Sequence, residues 1–136
     1  MKKYFGVIFS VLLGFMTVYF IRIYLQSAPV FSQTVKDMGY YDVSENPTEI
    51  VDVTIPVQFN AVYERYNNLL KEGGYDLAPY KGKKCKRYTY LIPSENARAN
   101  ILVYNGKIIG GDISSITIDG IMIPIINTVR ENGREK

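Results

Sequence analysis

The chain contains no histidine, which removes Ser-His-Asp and Cys-His relays and the histidine zinc sites at once. Carboxylates are what remains for acid–base chemistry. Asp112 and Asp119 converge if the chain folds back at Asp119-Gly120, and a carboxylate-dependent hydrolase needs such a pair. Ser114 and Ser115 lie between them and complete a candidate polar site. Asp119 has a competing reason to be there, because aspartate is favoured at the start of a turn. Cys85 is the single cysteine, so no internal disulfide forms. Lys83, Lys84, Lys86 and Arg87 surround it, and their field would lower a thiol pKa. No base or resolving cysteine accompanies it, and a small residue in a strand is the alternative. Gly106, Gly110 and Gly111 lack the G-x-G-x-x-G spacing, and no lysine-serine pair opens a helix behind them. The residues thus give no catalytic assignment, and neither a cofactor nor a metal is expected.

Five of the seven residues 81–87 are cationic, and tyrosines follow. Lys83, Lys84, Lys86, Arg87 and Tyr88 are therefore candidates for anion or partner binding. Inside a cell such a run suggests nucleic acid, with cations on phosphates and aromatics on bases. Outside it, lipid head groups, wall polymers or an acidic protein are the expected anions, and no nucleic acid is. An edge strand protected from aggregation by lysines is the competing reading.

These residues must be positioned by elements that the sequence spells out. Phe31, Val35 and Met38 are spaced for a short helix from Pro29 to Gly39, and Tyr40 to Val43 suits a short strand. Ser44 to Pro47 is a turn by composition. Residues 49–55 alternate as a strand with one dry side, through Val51, Val53 and Ile55. A helix follows from Pro56, with Phe59, Val62, Tyr63, Tyr66, Leu69 and Leu70 on one face and Gly73-Gly74 as its stop. Its aromatic stripe reads as core packing. Residues 83–92 form a strand closed by Pro93. Residues 97–104 and 107–113 flank Asn105-Gly106, the pair suited to a two-residue type I′ turn. That register sets Val103 opposite Ile108 and Leu102 opposite Ile109. Gly110-Gly111 interrupts an aliphatic strand and predicts a bulge or the close approach of another segment. Asp119-Gly120 predicts a second hairpin. Gly39-Tyr40-Tyr41-Asp42 and Gly74-Tyr75-Asp76 echo one another after two helix ends, which predicts similar capping turns.

The first 26 residues differ in kind. Lys2 and Lys3 precede an apolar run through residues 4–25, interrupted at Arg22, and a helix needs about 20 such residues to cross a bilayer. The run exceeds a signal-peptide core, and Gln26-Ser27-Ala28 would leave Pro29 at a new terminus, so an uncleaved anchor is expected. Lys2 and Lys3 against Arg22 keep the amino end cytoplasmic and place the domain outside. Beyond residue 26 the 13 basic and 13 acidic residues balance. Residues 27–79 hold three basic and eight acidic residues, whereas 80–136 hold ten and five, so the domain is expected to be electrically polarised.

From Pro56 onward the pattern resembles domain-of-unknown-function family 4830, small extracytoplasmic domains of Firmicutes. The likeness rests on Phe59, Tyr63 and Tyr66, on Gly74-Tyr75-Asp76-Leu77, on Tyr80-Lys81-Gly82-Lys83 and on Arg87-Tyr88-Thr89-Tyr90. It is most specific over Leu102 to Asp112, then Ser114-Ser115 and Asp119-Gly120. The resemblance implies a cell-envelope protein with one N-terminal helix and a small α+β domain. It supplies no catalytic residues. Where the family continues after Asp119-Gly120 with an aromatic, a methionine and a histidine, this chain has Ile121-Met122-Ile123.

The expectation is an α+β chain: a transmembrane anchor at 1–26, a short helix and strand region at 27–55, a domain at 56–126 with one or two helices on a small antiparallel sheet, and a polar tail at 127–136. Its expected role is a non-catalytic binding or interaction module of the cell envelope. The alternatives are a hydrolase using Asp112 and Asp119, and an anion-binding domain using the strand from Lys83 to Arg87.

Overall fold

The computed structural model describes residues 2–128, with side chains for 10–20 and 31–128. In chain order the elements are α1 (Lys2–Asp37), β1 (Glu49–Thr54), α2 (Ala61–Glu72), β2 (Lys84–Ile92), β3 (Ala97–Tyr104), β4 (Lys107–Ser115) and β5 (Met122–Pro124). The strands form one antiparallel sheet in the order β1-β2-β3-β4-β5. The fold is α+β: a meander, with α2 inserted between its first two strands.

Both faces of the sheet are covered, by different helices. Phe31 and Val35, in the last turns of α1, join Tyr90, Ile92, Ala99, Ile101, Val103 and Ile113 in one core. The Phe31 ring lies 5.0 Å from that of Tyr88. On the other face Leu70 of α2 packs with Ile55, Leu77, Cys85, Leu102 and Ile109. Gly39 and Gly74, both at positive φ, end the two helices identically. Tyr40 donates to the Val35 carbonyl and Gly39 to that of Lys36; Tyr75 donates to Leu70 and Gly74 to Lys71. These are two Schellman caps, the physical meaning of the repeated Gly-Tyr signal.

Several expectations need correction. The segment from Pro29 to Gly39 is not a separate helix but the end of α1, which runs through the proline although it has no N–H to donate. Tyr40 to Val43 is a turn, with Val43 buried in the α1-side core. The second helix starts five residues after Pro56, because Asn60 caps it by accepting from the Tyr63 amide at 2.9 Å. The Asn105-Gly106 turn has the expected positive φ values of 49° and 74°. Val103 faces Ile108 as expected, but Leu102 faces Gly110 and Ile109 is a bulged extra residue. The second hairpin exists as the β4–β5 pair, joined by a loop wider than Asp119-Gly120.

Among the described residues no helix is long and apolar enough to cross a membrane. Transmembrane character therefore does not follow from the fold. Much of the anchor expected at 4–25, at 4–9 and 21–25, lies outside the described side chains, as do residues 129–136 of the polar tail.

Candidate functional site

The bulge at Ile109 decides where Asp112 lies, the one buried carboxylate among the described residues. With an uninterrupted register from the Asn105-Gly106 turn, Asp112 would stand opposite Ala99, on the face packed by α1. The extra residue shifts the pairing so that Asp112 stands opposite Asn100 and Ala99 opposite Ile113. A one-residue shift exchanges the faces of a strand, so Asp112 points to the α2 side.

There it anchors a hydrogen-bond network across β2, β3, β4 and α2. The Tyr66 hydroxyl donates to Asp112 Oδ1 at 2.8 Å. Asn100 Nδ2 donates to Asp112 Oδ2 at 3.1 Å and to Ser114 Oγ at 3.4 Å. Thr89 Oγ1 donates to Asn100 Oδ1 at 3.0 Å. Asp112 is only 4% exposed, and burial raises its pKa above the ordinary carboxylate value, against the bonds from Asn100, Tyr66 and Ser114 and the nearby Arg87 charge. Burial, then the Asp112 charge, pushes the Tyr66 hydroxyl upward, so it stays a donor. With both oxygens engaged, Asp112 is built to hold neighbours in place rather than to attack a substrate.

Arg87 borders this network. Its Nη2 lies 3.1 Å from Glu49 Oε2 on the neighbouring strand. Its Nε is buried and has no hydrogen-bond partner. A buried unpaired donor is unfavourable by about 1–3 kcal/mol, so this atom marks a place where an acceptor is wanted. Arg87, Asn100 and Asp112 floor a cavity of about 240 Å³, walled by Val53, Leu102, Tyr63, Tyr66 and Met122. A second, almost wholly apolar cavity of about 450 Å³ shares Tyr63, Tyr66 and Met122 with it and adds Val62, Leu69 and Arg65. Together they make a cleft between α2 and the β4–β5 edge, with an apolar mouth and a polar floor.

The structure separates the other sequence candidates. Asp119 sits in the β4–β5 loop and lines a different cavity, with Tyr40, Glu95, Ser115 and Gly120. Asp112 and Ser114 share one strand face while Ser115 takes the other, so the four do not form one site. The basic run is also split. Lys84, Lys86 and Tyr88 line a cavity of about 590 Å³ beside Phe31, while Arg87 faces the α2 cleft and Lys83 precedes the strand. Cys85 is buried, and burial raises its thiol pKa, with Asp52 adding to the rise against a backbone hydrogen bond. The small-strand-residue reading of Cys85 is the one observed.

Residues 34–113 match the family described as domain of unknown function (DUF4830), and the chain belongs to that family. The match begins in α1 rather than at Pro56, so it includes the end of that helix and β1. Neither a curated protein nor a solved structure matches the chain.

Proposed function

We propose that this chain is a single-pass, N-in membrane protein whose outward domain is a binding module for small amphipathic anions, held in the cleft between α2 and the sheet. One observation carries the binding reading: an apolar mouth leads to a floor where Arg87 Nε is a buried donor without an acceptor. A carboxylate accepting from Arg87, with an acyl or aryl body against Val62, Tyr63, Leu69 and Met122, would satisfy both. The anchor is supported by the outer surface of α1. Val11, Leu12, Leu13, Phe15, Met16, Val18, Tyr19 and Phe20 are each more than half exposed, and such a surface calls for an apolar medium.

The full chain in lipid nanodiscs, titrated calorimetrically with 4-phenylbutyrate, tests the module. Saturable binding is expected, weakened roughly tenfold or more by Arg87→Gln, because loss of a charged hydrogen bond is worth about 1.5–3 kcal/mol, and weakened also by Val62→Asp. Equal affinity in wild type and both variants contradicts it. A reporter fused after Lys136 that is active only in the cytoplasm contradicts the topology.

A further inference from the structure

Resting on that anchor reading, we infer that the basic end of the sheet is a second binding surface, which docks flat on anionic phospholipid head groups at the foot of the anchor. The argument begins with where α1 meets the sheet. Its side chains enter the core at Phe31, against Tyr88, while Val35 and the cap at Tyr40 lie further toward the β2–β3 connection. Followed back toward the amino end, α1 therefore leaves past the start of β2 and the β3–β4 turn. Phe31 lines a cavity there with Lys84, Lys86, Asn105 and Gly106. Leu25, the end of the apolar run, lies only six positions before Phe31. As helix that is about 9 Å, comparable to the Debye length of about 8 Å in physiological salt. This end of the domain is thus held where a charged bilayer surface is felt.

The charges at that end suit the occupant. Lys81 and Lys83 sit in the loop before β2, where the Ile55 amide donates to the Lys83 carbonyl and the Gly82 amide donates to the Ile55 carbonyl. Lys84 and Lys86 open β2 and Lys107 opens β4; all three are exposed. The facing acids are Asp52, 3.0 Å from Lys86, and Asp76, engaged by Asn67 and the Ala78 amide. The excess is positive. At the opposite end of the strands are Asp42, Glu45, Glu95 and Asp119, with Arg98 among them and with Lys36 and Asp37 in the last turn of α1 near Tyr40. The charge split read along the sequence is therefore an axis along the strands, basic toward α1's exit and acidic away from it. An anionic surface attracts the first end and repels the second.

The test reconstitutes the full chain, on a Cys85→Ala background, into neutral vesicles and into vesicles containing phosphatidylglycerol, both with a head-group nitroxide lipid. A fluorophore is placed by Val57→Cys, beside Gly82 at the basic end, or by Ser94→Cys at the acidic end, about 30 Å away along a nine-residue strand. Quenching at position 57 should exceed that at 94 in anionic vesicles, and should fall with added salt and in neutral lipid. Lys84→Glu with Lys107→Glu should lower the docked-to-undocked ratio roughly fivefold or more, given the contribution of each lysine near an anionic surface. Equal quenching at 57 and 94, or quenching at 57 indifferent to lipid charge and salt, overturns the inference. So does poly(glycerol phosphate) binding the lysines while lipid charge changes nothing. Alkaline carbonate extraction separates the two readings. A chain stripped from the vesicles fails the anchor; a retained chain with equal quenching fails the docking alone.

Discussion

Asp112 ties together four elements, and its titration should be visible in the stability of the whole domain. Because burial raises its pKa from 3.8, the folded chain holds that proton more tightly than the unfolded one. The associated stabilisation is fully present below the ordinary value and is lost as pH rises through the raised folded value. Asp52 and Asp76 run the other way. Their pKa values are lowered first by hydrogen bonds from Lys86 and Asn67, so their contributions fade as pH falls. Asp112→Asn should therefore gain urea resistance relative to wild type as pH rises from below 3.8 toward neutrality, measured as the difference between unfolding midpoints. A difference independent of pH would contradict this. Tyr66→Phe leaves Oδ1 of Asp112 without its donor and should destabilise by about 1–3 kcal/mol in the same assay. Of this network only Asp112 and Ser114 were legible as candidates. Asn100 is a polar residue within an aliphatic strand that the simple register sets opposite Gly111, so nothing in the sequence joined it to Asp112.

The elements themselves were largely legible where a turn or cap is chemically unambiguous. Asn105-Gly106 set one hairpin and with it β3 and β4, the glycines at 39 and 74 set both helix ends, and period-two alternation set β1 and β2. What escaped was the position of the bulge, because Gly110-Gly111 predicts a bulge or a close approach but not which residue is extruded. The structure supplies the reason. A Cβ on Gly110 would sit 2.8 Å from Leu70 Cδ1, and one on Gly111 would collide with the Ile125 side chain and the Asn100 carbonyl. Both faces press on the strand at this point, and the extra residue lies just before it. Deleting Ile109 removes the extruded residue and should leave Asp112 opposite Asn100, on the α2 face, while taking from the core a side chain that clusters with Leu70 and Leu102. A destabilisation of about 2–5 kcal/mol is expected in urea unfolding. The difference between Asp112→Asn and its parent should keep its pH dependence on the deletion background. Loss of that dependence would show that Asp112 had changed face.

At the scale of the molecule, three features share one frame: an exposed apolar helix on one side of the sheet, a cleft under α2 on the other, and a charge axis along the strands. The sequence disclosed the helix and the charge imbalance as compositions. It could not show that the imbalance runs along the strand axis, because that depends on α1 and the meander sharing one end. Nor could it show the cleft, since Tyr63 and Tyr66 read as core packing until Met122 and Arg87 are seen across from them. The central claim is that this cleft is the ligand site. Nitrogen-15 and methyl NMR of the full chain in nanodiscs during 4-phenylbutyrate addition tests it most directly. Shifts should concentrate at Val62, Tyr63, Tyr66, Leu69, Arg87, Asn100 and Met122, with contacts from the phenyl ring to the Met122 methyl. Shifts confined to the α1 face, or spread evenly over the domain, would contradict it.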